Sequence, residues 1–548
     1  MRRLSLSDQA WPFSEMEEET KKKPIEEAKS GFGSLSEDIL EKILRRLPAP
    51  SLASAACVSK LWYQNCNRIL SRPKLASAIS LNPSLEIAVQ EVLDKVLSEP
   101  IRPHFAIANG FGYSFCMQKA FDLLSGKMGS RTPLIVTWAS GAMGRDARTN
   151  EFREVIGGYC CSDCDDERLD ANSGILLTVG SVPGLKVEAI PLLRRTKQAP
   201  RVSMADDLVV DIRNYTILAS GCTSPVAIIM FGGGDIDLKP IIEKLDYAML
   251  KETVIAGDEK TEFLYRSGME SKNVCESTKY FSDAVALVFA RDREKAHGIG
   301  DIQFHAALSN GVSAIGPRYK AASVRVNGRD CTTWLTAKRE GEHEIFDGQR
   351  ILNDINDELE NRIGGADLYI GVSKHRKYSI EREKPRSMSS LAFHGVMGVD
   401  EEYLFVYGSG IRTADYFQFY HSDPNIALSS CNNVSIHLRD LKVDWNSKRG
   451  LHPLSVANEC KKECIGGFVF ACRGRGESFF GRPNVDSSPI LENFPGVPLA
   501  GIYCGGEIGR GISILNAHGR QEESTTRLVH VFSTVYLVLS YTPASMEH

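Results

Sequence analysis

SLSEDILEKILRRLPAPSLASAACVSKLW, Ser34 to Trp62, places Ile39, Leu40, Ile43, Leu44 and Leu47 on one face of a helix. Pro48 and Pro50 break that helix before Leu52 opens the next. Ser34 followed by Glu37 predicts a capping box at the first helix start. Apolar residues keep helical spacing from Leu35 to Leu70, so a small helical module begins near Gly31. A module of this size cannot bury all these groups itself. Each aliphatic side chain that a partner covers contributes about 1.5–3 kcal/mol, so the surplus apolar face calls for a partner helix set.

These residues resemble the F-box family. Its pattern is an acidic-aliphatic helix, a leucine-proline break and a closing valine, small residue, basic residue and tryptophan. Leu35, Glu37, Ile39, Leu40, Ile43, Leu44, Leu47, Pro48, Leu52, Val58, Ser59, Lys60 and Trp62 match in order. Ser36 stands where the family has proline, and serine also opens helices. The resemblance implies a Skp-type adaptor as partner, and through it cullin and RING subunits. Leu35, Ile39, Leu40, Ile43, Leu44, Leu47, Pro48, Leu52, Val58 and Trp62 would form or support the adaptor-binding surface. A separate enzyme pair would transfer ubiquitin, leaving this chain non-catalytic.

Outward from this stretch, residues 1–30 carry charge blocks without apolar periodicity and are expected to form a disordered arm. Downstream, Leu85, Val89, Val92 and Val96 define a helix from Leu85 to Leu97, read as a bridge between domains. Beyond Pro103 the pattern becomes α/β. The segment HFAIA reads as a strand, Tyr113 to Ser125 as a helix and PLIVTWA as a strand. The same alternation returns in VAIIMF, KPIIEKLDYAML and ETVIA, which suggests an internally related unit. A third passage joins the helix around Ile351, Ile355 and Leu359 to the strands DLYIGV and YLFVYG. Cys160 to Asn172 and Lys374 to Ser390 read as polar surface insertions, and Leu528 to Thr542 as a buried strand.

Two later segments, GGFVFACRGRGESFFGRP (Gly466 to Pro483) and FPGVPLAGIYCGGEIG (Phe494 to Gly509), each run from an apolar strand into a Gly-rich turn. They resemble the C-terminal part of FIST domains, and the passages from about 103 to 316 are similar to the N-terminal half. The fold class expected is therefore mixed α/β: a small helical F-box module followed by a two-part α/β FIST-like region. Its expected division is 31–78 for the F-box, 84–330 for the N-terminal-like and 331–542 for the C-terminal-like domain. Cys472, Arg473, Gly474, Arg475, Gly505, Gly506 and Glu507 are the candidate target- or ligand-binding residues. Glycines admit close backbone approach, and Arg473, Arg475 and Glu507 supply complementary charges. The occupant is an unknown target protein or a small molecule such as a zwitterion; both stay open.

The 65 basic and 69 acidic residues of the 548 leave no field to hold a phosphate backbone, so nucleic acid is not an expected partner. No apolar run is long enough for a bilayer, and no signal segment follows the start, so the expected place is cytoplasmic or nuclear. FGGGDID, Phe231 to Asp237, lacks the lysine and hydroxyl of a P-loop and reads as a plain strand-to-helix turn. The groups Cys160, Cys161, Cys164 and Cys460, Cys464 lack a second ligand pair, so no metal or other cofactor is expected. Cys472 beside Arg473 is expected to have a lowered pKa.

Overall fold

Three helices follow the periodicity of the opening stretch: Glu37–Leu44, Ala49–Ala56 and Lys60–Leu70. They belong to a computed structural model that describes residues 36–157, 172–194, 201–233, 237–268, 281–327, 331–360, 367–380, 384–447, 461–510, 512–513 and 529–544. The arm over 1–30, Leu35, the Ser34 half of the capping box and Cys160 to Ala171 lie outside these residues. The first helix starts at Ser36, whose side chain makes no capping bond, whereas Ser59 accepts from the Trp62 amide to start the third. Leu40, Leu44, Leu52, Ala55, Ala56, Cys66 and Ile69 fill the interior of the module.

The module ends sooner than its expected limit of 78. Lys74–Ser80 is a strand of the large region, paired antiparallel with Gly174–Ser181, and Leu75 and Ile79 enter the main core. Ala49 donates its amide to Leu97 O, joining module to body. The helix Leu85–Val96 is no bridge between domains. It packs Ala88, Val89, Val92, Leu93 and Val96 on the first sheet.

The large region repeats one pattern three times. Each unit runs strand, helix, strand, helix, strand, and later a closing strand. In the first the strands are Lys74–Ser80, Phe105–Phe111, Leu134–Trp138 and Gly174–Ser181; in the second Leu185–Arg194, Ala227–Gly232, Val254–Asp258 and Phe281–Arg291. In the third they are Asp301–Ser309, Glu463–Cys472, Leu499–Cys504 and Thr534–Thr542. Every unit pairs these in the same spatial order. The first strand lies antiparallel to the closing strand, the closing strand antiparallel to the second, and the second parallel to the third.

A short strand after the third strand of each unit leaves to complete another sheet. Gly141–Arg145 from the first unit pairs with Leu499–Cys504 of the third, and Phe263–Arg266 from the second pairs with Leu134–Trp138 of the first. Glu507–Arg510 from the third pairs with Val254–Asp258 of the second. The exchange is cyclic, so the three sheets surround one core, with Phe105, Phe111, Phe231, Phe289, Phe304, Phe468 and Phe470 inside it. Helices cover the outer face of each sheet. This interleaving explains why the expected cut at 330 follows no sheet boundary: Gly141–Arg145 completes a sheet built largely from residues after 460.

Inserted in the third unit is a closed six-stranded barrel whose strands lie between Val312 and Ser422. The helix Gly348–Glu360 packs Ile351, Ile355 and Leu359 against Tyr319, Phe417 and Phe419. Lys374 to Ser390 is thus no polar insertion. Strands Leu368–Tyr378 and Arg386–Val399 occupy most of it, and buried Lys374 faces Glu243 at 3.6 Å. Among the described residues, no helix is long and apolar enough to cross a membrane.

Candidate functional sites

Two places in the fold carry the candidate residues. On the helical module, Leu40, Leu44 and Leu52 are buried in its own interior, so they hold the surface up rather than form it. Ile39, Ile43, Val58 and Leu61 point outward, Val58 with 63% of its surface exposed. Leu47 and Trp62 are half-buried against the interior, and Pro48 is exposed ahead of the second helix. Leu61 was missed from sequence, although it neighbours Trp62 in the first turn of the third helix.

The second place is where the parallel strands of all three units end. The Ser140 amide donates to Tyr503 O at 3.0 Å, the Trp138 amide to Glu262 O at 3.0 Å and the Glu259 amide to Gly506 O at 2.8 Å. Thr261 Oγ1 also donates to Trp138 O at 2.6 Å. Unit one thereby touches three, two touches one and three touches two, and the turns 138–140, 258–261 and 504–506 form a ring. Cys472 and Cys504 are register partners in it, so the turns at 472–475 and 504–507 lie side by side.

Their chemistry differs from the expected one. The amides of Gly505 and Gly506 donate to the Asp258 carboxylate at 3.4 and 3.2 Å. A Cβ at Gly506 would stand 2.4 Å from Glu259 Cγ, so these glycines admit the protein's own chain. A Cβ at Gly474 would press on the Phe532 ring at 2.7 Å. Arg475 is wholly buried. Its Nη2 and Nε donate to Asp486 at 2.7 and 3.1 Å, and its Nη1 donates to Phe532 O at 2.9 Å. Glu507 is also wholly buried and accepts from the Ser533 amide at 3.3 Å. Neither charge meets solvent, so the expected charge pair for an incoming ligand is absent; Arg473 alone of the three is exposed.

Burial also reverses the reading of Cys472. Its thiol is pushed well up, by burial first and then by Glu507, and Cys504 likewise, by burial and then Asp258. Both are thereby held toward the thiol form. Glu507 is held toward its neutral form by burial and by Asp258, which burial raises to about 6. Cys464 is half-buried near Gly466 O, while Cys460 lies outside the described residues, as do Gly234 to Ile236 of the FGGGDID turn. Among the described residues, no cluster of His, Cys, Asp and Glu is arranged to hold a metal.

Buried histidines and buried carboxylates pull the pH response in opposite directions. Burial, joined by Arg102, pulls His104 down to about 4; burial, joined by Lys462, does the same to His305. His394 is lowered by burial and by Lys374 and Lys239. A histidine depressed below its ordinary 6.5 contributes stability that is present above 6.5 and lost as pH falls through the folded value. Asp258, raised from 3.8 to about 6, acts oppositely: its contribution is lost as pH rises through that window. Glu507 and Glu154, both raised first by burial, act in the same direction as Asp258, so three carboxylates oppose the three histidines as the pH falls from 7 to 5.

Comparison with known proteins bears on both places. A family model of the F-box domain matches residues 32–72. An F-box/LRR-repeat protein of Arabidopsis thaliana is 46% identical over 518 residues, covering 93% of this chain and 94% of that protein. An uncharacterized protein of Mycobacterium tuberculosis (strain ATCC 25618 / H37Rv) is 47% identical over 45 residues, 8% of this chain and 12% of its own. One of Mycobacterium bovis is 48% identical over 44 residues, 8% and 11% respectively. In this chain the described strands close into three sheets and a barrel, not the stacked array of a leucine-rich solenoid.

Proposed function

Because this chain belongs to the F-box proteins, we propose that its large region captures a target protein and that its helical module presents the target to a ubiquitin ligase for degradation. F-box domains bind a Skp-type adaptor and through it the cullin complex, which makes the chain in general terms an SCF-type adaptor. The observation that carries the reading is the outward apolar group Ile39, Ile43, Val58 and Leu61 on a module whose interior is already filled. Exposed aliphatics on a small helical module whose interior is already filled mark a surface that another protein covers. In this reading the chain works in the cytoplasm or nucleus and supplies no nucleophile, since the transfer of ubiquitin belongs to the RING and conjugating enzymes.

The large region, read as FIST-like, is the recognition half because it holds most of the chain and folds around its own core. Affinity capture with the full chain and with residues 73–548 tests the division. The shorter chain, which keeps the strand Lys74–Ser80, is expected to unfold cooperatively, lose the adaptor and retain its targets. Retention of the adaptor would remove the assignment to residues 36–72. A second reading, coupling of small-molecule binding to degradation, is supported by the ring of strand ends, since ligands of α/β sheets bind beyond the carboxyl ends of parallel strands.

A further inference from the structure

Three pairs of parallel strands end at one ring, and the side chains at its mouth are cationic and aromatic. The amide of exposed Arg473 donates to Cys504 O at 2.9 Å. On the next residue, a Cβ at Gly505 would stand 2.8 Å from Lys260 Cβ, so the stem of Lys260 lies on that same turn. Two cationic residues therefore flank Cys504 and Gly505. The Lys260 ammonium sits 4.0 Å over the Tyr407 ring and forms no ion pair with a described residue. Trp138 stands on the adjoining turn of the ring with 41% of its surface exposed.

The neighbouring carboxylates have partners besides Lys260, although Glu259 also acts on its charge. Lys239 lies 3.6 Å from Glu259 and 3.7 Å from Asp237, and Asp237 also accepts from Ser409. Asp258 accepts the amides of Gly505 and Gly506, and Glu507 accepts that of Ser533. The geometry points to a carboxylate-binding site at this mouth, with Lys260 and Arg473 as its clamp and Tyr407 and Trp138 as walls for the apolar body of the ligand. A planar monoanion suits the place better than phosphate, because Glu259 and exposed Glu262 repel a second negative charge. Burial lowers the Lys260 pKa against the opposing pull of Glu259, Lys239 and Arg473 add to the lowering, and a bound anion offsets it.

The carboxylate belongs to a small organic acid or to the C-terminus of a target. The site rests on the large region being the recognition half, yet its test requires neither adaptor nor ligase. The two assignments therefore fail separately. The melting temperature of the full chain is to be measured in sodium acetate, sodium phosphate and sodium chloride at equal ionic strength. Acetate is expected to raise it by several degrees relative to chloride, and Lys260→Gln and Arg473→Gln to abolish the difference while melting as wild type in chloride. Lys260→Arg, which keeps the charge, should retain at least half of the shift and guards against a folding defect in Lys260→Gln. Random-sequence tetrapeptides with free and amidated C-termini then separate the sources: a tenfold or larger preference for the free acid over both amide and acetate identifies a chain terminus, and parity of free acid with acetate a small acid. Equal responses to acetate and chloride, a larger response to phosphate, or an acetate shift that survives both glutamine variants would overturn the site.

Discussion

Replacing Arg475 with alanine is expected to cost about 3–5 kcal/mol of unfolding stability, because it leaves a buried carboxylate without its counter-charge. Arg475 and Asp486 are both wholly buried, and together they join four parts of the third unit. Arg475 reaches Phe532 O and Ser309 Oγ, while Asp486 also accepts from Thr534 Oγ1 at 2.8 Å and lies near Cys431 Sγ. Losing the arginine leaves the buried acid with the Thr534 hydroxyl and the Cys431 thiol but without a counter-charge. The double replacement Arg475→Met, Asp486→Leu should recover a large part of the loss, since no charge then remains to be desolvated. Urea denaturation of the two variants checks the argument. A single variant within 1 kcal/mol of wild type, on the order of an exposed ion pair, would mean that solvent reaches Asp486.

This pair shows where sequence reading reached its limit. CRGRGES displays a positive charge in a Gly-rich turn, but the partner that consumes it lies eleven residues on, beyond a proline, and nothing local marks Asp486 as buried. Glycines at 505 and 506 were legible as close-approach positions; that Glu259 and Lys260 of another sheet make the approach was not. Strand and helix periodicity is a local property, so the parallel pairs at 105–138 and 226–258 could be read directly. The cyclic exchange could not, because Gly141–Arg145, Phe263–Arg266 and Glu507–Arg510 are four or five residues long and their partners belong to other units. In the helical module the reading went further. The 3.6-residue stripe located the helices, but it is wider than one face, and only the packing of the third helix decides which half of it stays outside.

That division makes the module's surface separable from its interior by mutation. Ile39→Asp with Ile43→Asp is expected to abolish capture of a Skp-type adaptor while leaving the melting temperature within a few degrees of wild type. Both side chains are more than 40% exposed, so the folded chain tolerates charge there. Covered by a partner, each would contribute about 1.5–3 kcal/mol, and a carboxylate in the same contact forfeits that and adds its own desolvation. The pair together should weaken binding by roughly two to four orders of magnitude. Leu44→Ala is the opposite case: a wholly buried side chain whose loss costs about 2–5 kcal/mol of folding. It should lower the module's own unfolding and reduce adaptor capture only in proportion to the fraction unfolded. Titrating the adaptor against both variants at a temperature where each remains folded separates contact from support. If the double aspartate variant binds as wild type, the partner covers another face, and the exposed Val58 and Leu61 become the residues to replace next.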